Sequence, residues 1–386
     1  MSGPSLFFYV QHLLGVGHLA RASRIAEAAG RKGMAVTLAL GGMPVPGFPP
    51  AGAATVRLPP IRSRDAAFSV MVDEDDRPLD AAFEARRRDI LLDAFDRSGA
   101  DVLMIEAWPF GRRKLAFELV PLLERAAARR PRPLVVCSVR DIVQANRRPD
   151  RLAETVDLIR SRFDLVLVHG DPAFARLEAG FPRARDFEDR IRYTGLVAAT
   201  PEPPAAEAWD VVVSAGGGAF GRGLVEAALA AARRLPPDLR MLVLTGPNLR
   251  EADRSALAAG APANVRVEAF RPDFRALLAA ARVSVSQAGY NTVCDLLQTR
   301  CEIILVPFRG DHETEQADRA ERLRKLGAAR VVEEARLGTE SLAGAIRAAL
   351  AGPPIPRPHI DLGGADRTID ILAEAAGRAA RSSRSA

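Results

Sequence analysis

The chain has 386 residues, enough for two domains of about 150–200 residues and too many for one ordinary core. With 48% hydrophobic residues, 28 prolines and 30 glycines along its length, it has the composition of a globular protein and not of a disordered or fibrous one. The net charge is +6, yet 51 of the 54 basic residues are arginine, which reads as coding bias with a basic surface for anionic lipid or another acidic partner as the alternative, and aromatics at 5% leave no basic stretch interleaved with stacking rings, so no nucleic-acid partner is expected.

In chain order, an apolar run from Leu6 to Val10 is followed by Gly15-Val16-Gly17-His18, by Leu19 to Ala29 at helical spacing, and by a strand over Met34 to Leu40. That is a βαβ opening. Further strands are predicted at Val102–Ile105, Leu134–Ser138, Leu165–Val168 and Ile191–Thr194 with helical stretches between them, the alternation of a parallel, doubly wound sheet. Residues 199–208, with three prolines and no periodicity, read as a linker between a first domain (1–198) and a second (209–360).

The alternation then restarts. Strands are predicted at Asp210–Ser214, Met241–Thr245, Val265–Glu268, Val283–Ser286 and Ile303–Val306. Helices are predicted up to Arg234, over Phe274–Ala281, over Tyr290–Leu297 and over Glu315–Leu326. Two such halves bring their strand ends face to face across a cleft. The tail (361–386) reads as an amphipathic helix to Ala380 that can cross back onto the first domain, with a disordered RSSRSA end. Cys137, Cys294 and Cys301, odd in number and in no metal spacing, read as reduced thiols. With no signal-peptide pattern and no apolar run of about 18 residues, the expectation is a soluble cytoplasmic protein, with peripheral contact at the inner membrane face left open.

Four loops carry the chemistry. Gly15-Val16-Gly17-His18 lies where the first strand hands over to a helix, so backbone N–H groups and the helix dipole face an anion, and Gly17 permits close approach. The loop departs from the dinucleotide fingerprint G-x-G-x-x-G, because Ala20 stands at its last position. His18 in such a loop can take a proton from an acceptor hydroxyl, and Glu106, just past its strand, is placed to orient it. The alternatives are a tight turn with a capping histidine, and a solvated loop acid at Glu106.

In the second half, Gly216, Gly217 and Gly218 form a turn suited to a diphosphate, without the lysine of a P-loop. Phe270 and Arg271, after the strand Val265–Glu268, are counted with the donor-binding residues. Ser286 to Asp295 turns on Gly289 into a helix whose start exposes Gln287, Asn291 and Thr292, and Asp295 is spaced to hold a ribose; the alternative for Thr292 and Asp295 is that of ordinary first-turn residues. Arg309, Glu315 and Gln316 belong to a polar loop suited to sugar hydroxyls. The adjacent Asp311, His312 and Glu313 form no credible metal site, and neither a metal nor a cofactor is expected.

The run Ser286 to Asp295, together with Pro307-Phe308 and Glu315-Gln316, resembles the C-terminal domain of family 28 glycosyltransferases, which includes peptidoglycan N-acetylglucosaminyltransferases. The resemblance implies the GT-B fold of two Rossmann-like domains and sugar transfer from a UDP-type nucleotide sugar to a hydroxyl acceptor. It departs from the family in one methylene, with Asp295 where the family has glutamate, and in one extra residue before Gln316. The loop Gly15-Val16-Gly17-His18 is similar to the G-x-G-H of GT-B transferases, in which histidine is the acceptor base and an acid placed like Glu106 supports it. With Arg21 it is also similar to the G-x-G-H-x-x-R of UDP-sugar hydrolases. A UDP-sugar hydrolase or epimerase is thus the alternative enzyme, and a non-catalytic nucleotide-sugar-binding protein the alternative outside enzymes.

Overall fold

The computed structural model of the protein describes residues 3–13, 15–45, 47–49, 53–65, 69–144, 148–216, 221–246, 249–308 and 314–384. The chain forms two compact units, Met1–Ala198 with Ile360–Ala386, and Ala199–His359.

In the first unit the apolar runs become β1 (Leu6–Val10), β2 (Val36–Leu40) and β3 (Ala54–Arg57), then the small antiparallel pair β4 (Arg62–Ser63) and β5 (Met71–Val72). They continue with β6 (Val102–Glu106), β7 (Leu134–Arg140), β8 (Leu165–His169) and β9 (Ile191–Tyr193). The helices are α1 (Gly17–Arg31), α2 (Ala81–Ser98), α3 (Ala116–Ala128) and α4 (Pro149–Arg162). Among the described residues, seven strands make one parallel sheet in the order β3-β2-β1-β6-β7-β8-β9.

The strands β1, β6 and β8 are buried at every position, as strands covered on both faces must be. Phe7 and Tyr9 pack with Leu91 and Leu119 on one face, while Leu6, Phe8 and Val10 pack with Leu19 and Ile25 on the other. Helix boundaries follow local chemistry: the Asp80 carboxylate accepts from the Phe83 N–H at 2.7 Å to start α2, and Gly99, at φ 58°, ends it in a left-handed turn. The strand order reverses between β1 and β6, where a doubly wound sheet leaves a crevice beyond its carboxyl ends. The first glycine loop follows one of these strands, and Glu106 closes the other.

The tail belongs to this unit. Helix α11 (Gly364–Arg384) packs Ile369 and Leu372 into the cluster of Leu19 and Ile25, and Arg31 donates to Asp366 at 2.9 Å. For residues 381–384 the expected disorder does not hold: the helix runs on through Arg384, since alanine and arginine are strong helix formers and serine costs little there, and residues 385 and 386 lie outside the described residues.

The second unit repeats the plan with β10 (Val211–Ser214), α5 (Arg222–Ala232), β11 (Met241–Leu244), α6 (Glu251–Ala259), β12 (Val265–Glu268) and α7 (Phe274–Ala280). It continues with β13 (Val283–Ser286), α8 (Tyr290–Leu297), β14 (Glu302–Leu305), α9 (Glu315–Lys325), β15 (Arg330–Val331) and α10 (Thr339–Ala351). Among the described residues its parallel sheet has the order β12-β11-β10-β13-β14-β15, reversing between β10 and β13. The proline-rich stretch 199–208 is fastened to this unit: Ala205 N–H donates to Ala276 O at 2.9 Å, Glu202 pairs with Arg275, and Glu207 with Arg271. Among the described residues no helix is long and apolar enough to cross a membrane.

Candidate functional site

In the first unit, α1 begins at Gly17, so His18 and Arg21 lie one turn apart on the same side of the helix. Both reach Glu106 at the end of β6. His18 Nδ1 stands 2.9 Å from Glu106 Oε1, and the Arg21 guanidinium bonds the same oxygen. The carboxylate's other oxygen, Oε2, accepts from Ser138 Oγ at 2.6 Å. Ser138 is Glu106's register partner on β7, and its hydroxyl lies 2.9 Å from His169 Nε2 at the end of β8. His169 Nδ1 in turn lies 3.0 Å from Thr194 Oγ1. Glu106 is therefore not a solvated loop acid; it is 1% exposed and sits inside a chain of side chains running along the sheet's carboxyl edge.

The charges follow from this burial. For Glu106, desolvation works to raise the pKa, but Arg21, His18 and Ser138 outweigh it and hold the carboxyl well below the usual range. His18 is pushed down to about 3, first by burial, then by the Arg112 guanidinium, with Arg21 adding to this and Glu106 opposing it. His169 is likewise pushed to about 3 by burial and by Arg21. Arg112, in a left-handed turn at φ 60°, is lowered to about 10 by burial and by neighbouring Arg140. An ionised carboxylate only accepts, so His18 carries its proton on Nδ1. Its Nε2 has no protein partner among the described residues, and the side chain keeps 15% of its exposure. A neutral imidazole with one bare nitrogen can take a proton.

The loops around this cluster are braced from below by buried charge. Arg87 Nε donates to Glu118 Oε2 at 2.7 Å, its Nη2 to Gln11 Oε1 at 2.6 Å and its Nη1 to Gly41 O at 2.9 Å, while Tyr9 donates to Glu118 at 2.5 Å. The residues following β1 and β2 are thus tied to one guanidinium.

In the second unit the site is built mainly from backbone. Gly216 follows β10 at φ 73°, and Gly246 follows β11 at φ 81°; a Cβ on Gly246 would lie 2.2 Å from Gly216 O, so only glycine fits. Gly217, Gly218 and Arg309, expected to bind the donor, lie outside the described residues, as do Asp311, His312 and Glu313.

Gly289 caps α8 without a side chain, leaving a helix start of the kind that receives anions. Helix α9 fixes this turn. Gln316 Oε1 accepts from Ala288 N–H at 3.1 Å and from Phe308 N–H at 3.3 Å, so one amide joins the two loops that the sequence proposed separately. Arg319, fully buried, donates to Ala288 O at 2.8 Å and to Glu315 at 2.7 Å, with its guanidinium 5.7 Å from the Tyr290 ring centre. Gln287, Asn291, Thr292 and Asp295 all lie at this junction, Asp295 on the buried side of α8.

Phe270 presents a ring that is 67% exposed just after β12. Arg271 beside it is gripped by Asp273 at 2.8 Å on two nitrogens and by Glu207 at 3.1 Å, and its pKa is raised by those partners. The sequence passed over Ser138, His169, Thr194, Arg112 and Arg319. The signal for the first two was polar residues at the carboxyl ends of otherwise apolar strands.

Residues 211–358 match the glycosyltransferase family 28 C-terminal domain. The chain is 29% identical over 227 residues to the UDP-N-acetylglucosamine--N-acetylmuramyl-(pentapeptide) pyrophosphoryl-undecaprenol N-acetylglucosamine transferase of Methylobacterium radiotolerans, covering 52% of this chain and 61% of that one. It is 27% identical over 164 residues to the transferase of the same name from Thermotoga neapolitana, covering 41% of this chain and 46% of that one. The chain thus spans about half to three fifths of the length of these two relatives.

Among solved structures, Acinetobacter baumannii MurG superposes with a TM-score of 0.61 at 16% identity, over 96% of this chain and 99% of that one. CalG4, the calicheamicin glycosyltransferase, superposes with a TM-score of 0.60 at 18% identity, over 100% of this chain and 98% of that one. The chain has the GT-B fold of these glycosyltransferases, and its second unit carries a glycosyltransferase family 28 C-terminal domain.

Proposed function

We propose that the protein transfers a sugar from a nucleoside-diphosphate sugar, of UDP type with a hexose or N-acetylhexosamine, to a hydroxyl acceptor without a bound metal. The observation that carries this reading is the His18–Glu106 pair at 2.9 Å at the switch point of the first sheet. His18 Nε2 takes the proton of the acceptor hydroxyl as its oxygen bonds to the anomeric carbon, and the bond from that carbon to the diphosphate breaks. The charge left on the diphosphate falls to the start of α8 and the glycine turn after β10, a role that a divalent ion fills elsewhere. Phe270 offers a face for the base and Asp295 a carboxylate for the ribose. The names of the sequence relatives, which specify a UDP-N-acetylglucosamine donor and a lipid-linked acceptor, favour this donor class and a lipid among the acceptors to be tried.

The test is incubation of the full chain with a panel of nucleotide sugars in excess EDTA, with and without extracted membrane lipids, followed by product analysis. A glycosylated product with EDTA present supports the reading, and turnover that needs added Mg or Mn contradicts its metal-free form. One observation favours a second reading: Arg21 of the G-x-G-H-x-x-R pattern contacts the same carboxylate as His18. That arrangement also suits a UDP-sugar hydrolase in which water replaces the acceptor. Free sugar released at the same rate with and without lipid would select it.

A further inference from the structure

We infer that Arg21 is a positioning residue that helps to keep His18 neutral, by sharing the carboxylate oxygen of Glu106 that would otherwise serve the imidazole alone. Its meaning for catalysis rests on His18 being the base, as proposed above; the geometry itself does not.

A histidine paired with a lone buried carboxylate becomes a stronger base, because the carboxylate stabilises the imidazolium. Here the helix places Arg21 three residues after His18, with its Nη2 3.4 Å from His18 Nδ1 and in contact with Glu106 Oε1. A fixed positive charge thus stands beside both members of the pair. Glu106 cannot turn its second oxygen to the imidazole, because Oε2 is held by Ser138 at 2.6 Å, and Ser138 is braced by His169 at 2.9 Å. Among the described residues the other charged group acting on His18 is Arg112, from the turn beyond β6, with Arg140 of β7 and Tyr9 of β1 behind it. Around His18 the guanidiniums outnumber the single carboxylate, so the imidazole stays neutral across the physiological range with Nδ1–H on Glu106 and Nε2 bare. The lowering of His18 to about 3, in which Arg21 takes part, agrees with this arrangement.

The consequence is a base that stays in its receptive form, whose proton affinity Arg21 lowers further, beside burial and Arg112. Replacing that arginine by a neutral residue frees Glu106 for His18 and removes a repelling charge, and both changes raise the histidine's proton affinity.

The experiment is an NMR pH titration of the histidine ring signals in the full-length protein, which has five histidines. His18 is assigned by its loss in His18→Gln. In the wild type, His18 is expected to stay neutral well below its ordinary titration point of about 6.5. Arg21→Gln should raise its midpoint by at least about one pH unit, a tenfold gain in proton affinity. Arg21→Lys, which keeps the charge, should stay close to wild type. Glu106→Gln, which removes the carboxylate that raises His18, should leave it neutral throughout and gives a reading even if Arg21→Gln does not fold. A wild-type midpoint at or above 6.5, an unchanged midpoint in folded Arg21→Gln, or a raised one in Glu106→Gln would overturn the inference. Because the titration needs neither donor nor acceptor, it separates failure of this inference from failure of the proposed transfer, which would show as expected titrations with no glycosylated product.

Discussion

The carboxyl edges of the two sheets occupy equivalent places, each at the reversal of strand order, yet they are built from opposite materials. At the first, side chains do the work: one carboxylate, two arginines and two histidines are buried against strand ends and hold one another's charge states. At the second, among the described residues, glycine turns, a helix start and a glutamine amide dominate, and Arg319 pairs with Glu315 and Arg271 with Asp273. The first edge is suited to moving a proton, and the second to receiving an anion by its backbone. One doubly wound plan used twice therefore supports two different tasks, and the difference lies in which residues close the strands.

The comparison can be broken most forcefully at His18. His18→Ala should lower kcat by roughly 10²–10⁴-fold, and Glu106→Gln by less, measured as initial rates of nucleoside diphosphate release with acceptor present. Unchanged turnover per folded molecule with a lowered melting temperature would make His18 a packing residue. On the other edge, Gly246→Ala meets both a left-handed backbone and a contact at 2.2 Å with Gly216 O, and should cost about 1–3 kcal/mol in chemical denaturation. Gln316→Ala removes the amide that joins the Ala288 and Phe308 backbones, and should weaken donor binding about tenfold, or 1.4 kcal/mol, with kcat at saturating donor little changed.

The charge states at the first edge are also tested by pH. His18 and His169 both have folded pKa values near 3, below the unfolded value of about 6.5, so each contributes stability that is present above pH 6.5 and is lost as pH falls towards 3. Stability should fall by about 1.4 kcal/mol per pH unit for each of them within that window, and His169→Gln should remove one proton's share of the slope. Denaturation midpoints at pH 7, 5.5 and 4.5 read it; a flat profile would mean that these imidazoles are not held neutral.

Much of this was legible in the sequence. The glycine loop after Val10, a helix from Leu19 and a strand over Val102–Ile105 follow from periodicity, which pairs His18 with Glu106 from the sequence; the helix in fact starts two residues earlier, at Gly17, and the strand takes in Glu106. In the second unit the strands Val265–Glu268 and Val283–Ser286 and the helix Tyr290–Leu297 were read with their observed bounds. What local pattern could not show was side-by-side register. Ser138 in LVVCSVR and His169 in LVLVH read as ordinary strand residues until β6, β7 and β8 align their ends. Likewise Arg87, Glu118 and Tyr9 meet only through the fold. The pairing of Arg271 with Glu207, far away in sequence, likewise gave no local sign.

The division of labour between the two edges is tested most directly by calorimetric titration of UDP and UDP-sugars into the wild type, His18→Ala and Gln316→Ala, all as full chains in EDTA. The expected result is binding to the wild type, a Kd within about twofold of it for His18→Ala, and a Kd about tenfold weaker for Gln316→Ala. Absence of nucleotide binding to the wild type, or a loss in His18→Ala equal to that in Gln316→Ala, would contradict the account.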